Sequence, residues 1–133
     1  VTRHRGDLAA LRLSYALLLL AEGAPMIYCG DEVGLEGDND PGCRGTMPWD
    51  ESLWNHDLLA SIRSLIAVRR EHPALTRGAQ HVVALSDDVV RLDRTLGDRT
   101  VSLVVNRGPG AYELATGESV PPATALVLAE EVS

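Results

Sequence analysis

Residues 8–22, LAALRLSYALLLLAE, constrain this chain more than any other stretch, because they are apolar at almost every position. Asp7 precedes them as a helix cap, and Gly23 with Pro25 supplies the stop. The run from Leu13 to Ala21 is bounded by Arg12 and Glu22, well short of the ~20 residues that cross a bilayer. A helix without a polar face must instead be covered on more than one side, which predicts that it packs on a sheet with neighbours alongside.

The order of elements after this helix is set by its C-terminal neighbours. Met26, Ile27, Tyr28 and Cys29 form a short apolar run after Pro25 and before Gly30, read as a buried parallel strand. Residues 30–50 show no periodicity, only Gly, Asp, Asn and Pro punctuation. Loops that long inside compact domains tend to carry function. A second helix begins between Asp50 and Asp57 and runs to about Glu71. Leu58, Leu59, Ile62, Leu65 and Ile66 lie on one stripe, with Arg63, Arg69 and Arg70 largely outside it. Pro73 disfavours helical geometry at His72 and ends it there.

After Gly78 the pattern changes to short alternating segments at residues 81–85, 89–94, 100–105, 112–115 and 124–128. Turn signals at Asp87-Asp88, Gly97-Asp98, Gly108-Pro109-Gly110 and Pro121-Pro122 separate them. This predicts an antiparallel β-sandwich or small sheet, with a domain boundary near residues 74–78. The expected class is therefore α/β plus all-β, divided into residues 1–75 and 76–133.

Composition narrows the partners. A chain of 133 residues holds one ordinary core, and 45% apolar with 23% charged residues argues against disorder. The net charge of −7, concentrated between Glu32 and Glu51 and at Glu130 and Glu131, disfavours a nucleic-acid backbone or an anionic membrane as partner. A neutral ligand such as a sugar fits better. Arg3, His4 and Arg5 form a basic cluster too short to reverse that. Two cysteines, Cys29 and Cys43, in no metal-ligand spacing, read as free thiols and lean toward the cytoplasm.

Several residues invite chemistry. Asp38-x-Asp40-x-Gly42 echoes a calcium loop. Counting from Asp38, however, the sixth position is Cys43 rather than Gly and the twelfth is Trp49 rather than Glu. No metal and no cofactor are assigned. His4, His56, His72 and His81 are scattered, with no nucleophile beside them. Asp31 and Glu32 are adjacent carboxylates at a strand end, but neighbouring side chains diverge. Trp49 and Trp54, at a loop–helix junction, could stack on sugars but read first as packing anchors.

The motifs occur in a recognisable order. Residues 23–34 read GAPMIYCGDEVG, followed by Asp40-Pro41-Gly42-Cys43-Arg44, Met47-Pro48-Trp49-Asp50, Asn55-His56-Asp57-Leu58, residues 69–75 as RREHPAL, and Val104-Val105-Asn106. Together they resemble the eighth strand, the following loop and the C-terminal β domain of the α-amylase superfamily, glycoside hydrolase family 13. The nearest likeness is to the neopullulanase, cyclomaltodextrinase and maltogenic amylase group. Cys29 departs from the group, which has a second Tyr there.

The resemblance implies the last helix–strand–helix part of a (β/α)8 TIM barrel followed by a C-terminal antiparallel β-sandwich. It implies retaining hydrolysis of α-1,4 glucosidic bonds, with α-1,6 bonds as an added candidate. The three family carboxylates would precede Val1, so no catalytic residue is assigned within the chain, and the segment alone is expected to be inactive. A retaining glycosidase needs two carboxyls ~5 Å apart in opposed protonation states, and no spacing here shows such a pair.

By the resemblance, Asp40 and Arg44 hold hydroxyls of a glucose unit at a minus subsite, while Tyr28, Asp31 and Glu32 support the barrel mouth. A carboxylate that accepts and a guanidinium that donates in a fixed fork suit a polar, neutral ligand. The implied partners are an α-glucan oligosaccharide and the rest of the barrel upstream of Val1. A strand edge and apolar helix faces left open also point to homodimerisation through exposed barrel surfaces. Two rivals are a stand-alone sugar-binding or interaction module and an accessory subunit that completes a split barrel. The coding sequence ahead of Val1 separates both from the fragment reading.

Overall fold

A computed structural model of the protein describes residues 7–37 and 42–131. The first helix, α1, is Leu8–Leu20, and the Ala10 N–H donates to the Asp7 carboxylate at 3.0 Å as its cap. Its two sides pack against different layers, as a helix lacking a polar face requires. Leu13, Ala16 and Leu20 join a cluster with Ala74, Leu75, Leu92, Val101, Leu103 and Val105. Leu11, Tyr15 and Leu19 form a second cluster with Leu58 and Ile62. Leu18 remains 42% exposed.

The strand expected at residues 26–29 does not form. Met26 is 71% and Tyr28 51% exposed, and every strand pairing among the described residues lies within residues 79–131. An apolar run becomes a strand only when a ladder partner lies beside it, and none of the described strands borders this one. Ile27 alone turns inward, onto the cluster between α1 and the second long helix.

That helix, α2, is His56–Glu71, capped by Asn55, whose side chain accepts from the Leu58 N–H at 2.9 Å. A 3-10 turn at Glu51–Leu53 precedes it. Pro73 ends α2 as expected, but it also begins a short helix, α3, Pro73–Arg77. Its missing N–H and fixed φ suit a first helical position.

The remainder is antiparallel sheet. Strands β1 (Ala79–Ala84), β2 (Val89–Leu96), β3 (Arg99–Asn106) and β6 (Thr124–Glu131) form one sheet in the order β1-β2-β3-β6. Strands β4 (Tyr112–Glu113) and β5 (Ser119–Val120) form a hairpin. The register sets Val90 opposite Val105, Leu92 opposite Leu103 and Leu103 opposite Val127. That face meets α1 and α3. The opposite face carries Val89, Val104 and Leu126, and Val120 and Tyr112 of the hairpin cover it. The second layer of the expected sandwich is thus this small hairpin.

Two polar residues are buried in the strands, each with carbonyls to serve. Asn106, 1% exposed, donates its amide to the carbonyls of Gly110, Val120 and Pro121 and accepts from the Gly108 N–H, tying the hairpin to β3. Arg94, also 1% exposed, donates to Leu20 O at 3.1 Å, Leu75 O at 3.0 Å and Gly78 O at 2.8 Å. It joins β2 to the C-terminal ends of α1 and α3, where unsatisfied carbonyls and the helix dipole favour a cation. Among the described residues, no helix is long and apolar enough to cross a membrane.

Candidate functional site

The segment between α1 and α2 is held at three places. At its start, Arg69 of α2 donates to Leu19 O at 2.6 Å, Ala21 O at 3.1 Å and Gly23 O at 2.6 Å. These are carbonyls that the helix cannot satisfy itself. Glu22 N–H donates to the Gln80 side chain of β1 at 2.7 Å. Gly23 then takes φ +112°, a conformation that an L side chain resists.

Further along, residues 30–35 close a tight turn. Leu35 N–H donates to Gly30 O at 2.8 Å across a 3-10 turn at Asp31–Val33. Gly30 has φ +88°, and a Cβ there would stand 2.6 Å from the Leu35 side chain, so only glycine closes it. The Asn55 N–H, just ahead of α2, donates to Val33 O at 3.0 Å and fixes the turn to the helix start.

This turn carries the two candidate support carboxylates. Tyr15 of α1, 5% exposed, lies beside Asp31. Burial above all, then the charge of Asp31 and its hydrogen bond, then the charge of Glu32, hold the phenol well above its usual range. Tyr15 therefore remains neutral beside Asp31. One oxygen of Glu32, Oε2, is buried without a hydrogen-bond partner among the described residues.

The two arginines are coupled through their charges. Arg94 is held below its usual range by burial first and by the charge of Arg69 second, with Glu22 acting in the opposite sense. Sequence pattern alone assigns a site role to neither arginine. Arg69 stands there among the residues outside the apolar stripe. For Arg94 a signal exists: it shares its face of β2 with Val90 and Leu92, so strand alternation alone points it inward.

Of the candidate substrate-binding pair, only Arg44 lies among the described residues. Asp40 lies outside the described residues, as do Asp38 and Asn39 of the calcium-like sequence. Arg44 ends an exposed 3-10 turn at Gly42–Arg44 and has interactions of its own. Tyr28 is half exposed. The tryptophans diverge. Trp54 donates its indole N–H to Pro48 O at 2.6 Å and lies 6.3 Å from the His56 ring, a packing anchor as expected. Trp49 is 81% exposed, so the packing expected of it is not made within the described residues. Among these residues no His, Cys, Asp or Glu group is placed to hold a metal ion.

A groove of about 580 Å³ lies elsewhere, between Ala10, Leu13 and Leu17 of α1 and Val90 and Val105 of the sheet, with Asp87 and Arg107 at its edge. Among the described residues, none of the candidate sugar-binding residues lines it.

Comparison with known proteins agrees with this arrangement. The sequence matches no protein-family profile. The cyclomaltodextrinase of Geobacillus thermopakistaniensis is 39% identical over 111 residues, which are 82% of this chain and 19% of the relative. The intracellular maltogenic amylase of Bacillus subtilis is 37% identical over 111 residues, 81% of this chain and 19% of that protein. The chain thus spans about a fifth of the length of the curated relatives it matches. Among solved structures, the cyclic α-maltosyl-(1→6)-maltose hydrolase from Arthrobacter globiformis superposes with a TM-score of 0.93 at 46% identity. That match covers 98% of this chain and 31% of the other. Over most of its length the chain is homologous to the C-terminal region of cyclomaltodextrinases, maltogenic amylases and neopullulanases, and so belongs to the glycoside hydrolase family 13 group that they form.

Proposed function

We propose that this chain is the C-terminal section of a retaining α-glucan hydrolase that cleaves α-1,4 and, as a second class, α-1,6 glucosidic bonds. In this reading the part of the protein ahead of it supplies the nucleophile and the acid/base, while this section supplies the sugar-binding loop and the β domain. The observation that carries the reading is the 46% identity over 98% of the chain to a hydrolase of a cyclic maltosyl-maltose, with the loop motifs of residues 30–50 in order.

Within the loop, Asp40 and Arg44 hold glucose hydroxyls by charge-assisted hydrogen bonds. Tyr28, Asp31 and Glu32 support the mouth from which the loop departs. Exposed Met26, Tyr28, Trp49 and Leu53 support burial of this surface against the rest of the barrel or a second subunit. The free, exposed thiol of Cys29 supports a reducing compartment such as the cytoplasm.

The test is kinetic. In the full-length protein, Asp40→Ala and Arg44→Ala should each lower kcat/KM on maltooligosaccharides about ten- to a hundredfold, or roughly 1.5 to 3 kcal/mol. The 133-residue chain alone should release no sugar from maltotriose, pullulan or cyclodextrin. Unchanged kinetics in both variants, with lowered melting temperatures, would reduce the pair to an internal salt bridge.

A further inference from the structure

Helix α2 touches the segment that precedes it at both ends. Near its C-terminus Arg69 grips Gly23 O together with two carbonyls of the α1 end. At its N-terminus the Asn55 N–H holds Val33 O. From position 55 to position 69 a helix advances roughly 20 Å. The ten steps from residue 23 to residue 33 would reach only ~15 Å if helical and at most ~35 Å if fully drawn out. The segment is therefore not one continuous helix: residues 24–28 follow α2 with neither helix nor ladder, and the 3-10 turn at Asp31–Val33 closes it. Ile27 is its inward contact, and Met26 and Tyr28 face away.

We propose that α2 is a two-point clamp on residues 23–33, and that Arg69 is a positioning residue for the turn at residues 30–35, from which the sugar-binding loop departs. A guanidinium forked across three carbonyls sets where the segment begins as well as capping α1. The Asn55 contact sets where it ends, and the glycine-closed turn transmits that position to the loop. Arg94 provides the contrast. It serves the same end of α1 but reaches back to α3 and Gly78, and none of its hydrogen bonds touches residues 23–33.

The inference rests on the proposed sugar-binding role of the loop, and its test separates the two. In the full-length protein, Arg69→Met, Arg69→Lys and Arg94→Met are compared well below their melting temperatures, by amide exchange of peptides covering residues 23–35 and by kcat and KM on maltotriose. Arg69→Met should speed exchange in those peptides and raise KM about tenfold with kcat little changed, the pattern of lost uniform binding. Arg69→Lys, which keeps the charge without the fork, should fall between it and the wild type and substitutes for it if the Met variant folds poorly. Arg94→Met should cost more in melting temperature yet leave KM and that exchange unaltered.

If Arg69→Met only lowers the melting temperature, or if Arg94→Met raises KM equally, Arg69 is a helix cap and the clamp is refuted. If exchange responds as stated while Asp40→Ala and Arg44→Ala leave kinetics intact, the clamp stands and the sugar-binding role of the loop falls.

Discussion

Strands β1, β2, β3 and β6 satisfy their backbones side by side, in a continuous antiparallel register from Ala79 opposite Thr95 to Asn106 opposite Thr124. The end of α1 does the opposite. The carbonyls of residues 19, 20, 21 and 23 are met by two arginine side chains sent from α2 and β2. A ladder spreads its stability over many similar bonds, so the loss of one is felt locally. A pair of guanidiniums concentrates it in two residues, each joining elements far apart in sequence. The seam between helices and sheet is therefore the more fragile part of the molecule.

The severest way to test this is to remove the helices. Residues 79–131 keep every strand but lose Leu13, Ala16, Leu20, Ala74 and Leu75 from the cluster that covers one sheet face. The segment alone should show poor amide dispersion and no cooperative melt. A sharp melt near that of the whole chain would mean that the sheet is autonomous and the seam unimportant to it.

Next in size is Arg94→Met. It leaves the carbonyls of Leu20, Leu75 and Gly78 unanswered in a buried place, at about 3 kcal/mol in total and a fall in Tm on the order of 10 °C. Replacing an exposed strand residue such as Thr95 by Ala should shift Tm by at most ~2 °C. Equal shifts would erase the contrast.

Smallest is the response to alkali. The Tyr15 hydroxyl titrates above its ordinary 10.0 in the folded state. Its contribution to stability is therefore complete below pH 10 and is lost as the pH rises beyond it. The chain has no lysine, all twelve basic residues being arginine, and arginine does not deprotonate; the other tyrosines and the cysteines are common to the wild type and Tyr15→Phe, so the difference between the two isolates Tyr15. Tyr15→Phe should cost about 1 kcal/mol at neutral pH, and the gap in urea midpoint should narrow as the pH rises above about 10. A gap constant with pH would mean that Tyr15 ionises in the folded protein as it does unfolded.

The four long strands are legible in the sequence because a strand with one covered face alternates, and so are α1 and α2, because their caps and stripes are local signals. The elements that sequence pattern misplaces share a cause, dependence on something distant. The apolar run at residues 26–29 looks like a strand, but strand formation belongs to the neighbours as much as to the sequence. Pro73 reads as a stop although its geometry serves equally as a start, and β5 is too short to leave a period. Within the site, Gly30 and the turn residues are visible as punctuation. Arg69 is not, since an arginine outside an apolar stripe ordinarily faces water and only tertiary contact reveals that this one folds back onto carbonyls 50 and 46 positions earlier. One core cluster also draws on residues from both sides of position 76, a contact that sequence texture cannot reveal.

The span of α2 between Asn55 and Arg69 has a consequence for how such chains can vary. Inserting one residue inside it would swing Arg69 about 100° around the axis and move it ~1.5 Å along, away from Gly23. Inserting four would leave the heading about 40° off and overshoot by about 6 Å. Homologous enzymes should therefore tolerate neither, and length differences should accumulate in residues 36–50, where lengthening costs little. For anyone grafting new specificity onto this scaffold, the helix is a ruler to be left uncut and the loop is the free variable.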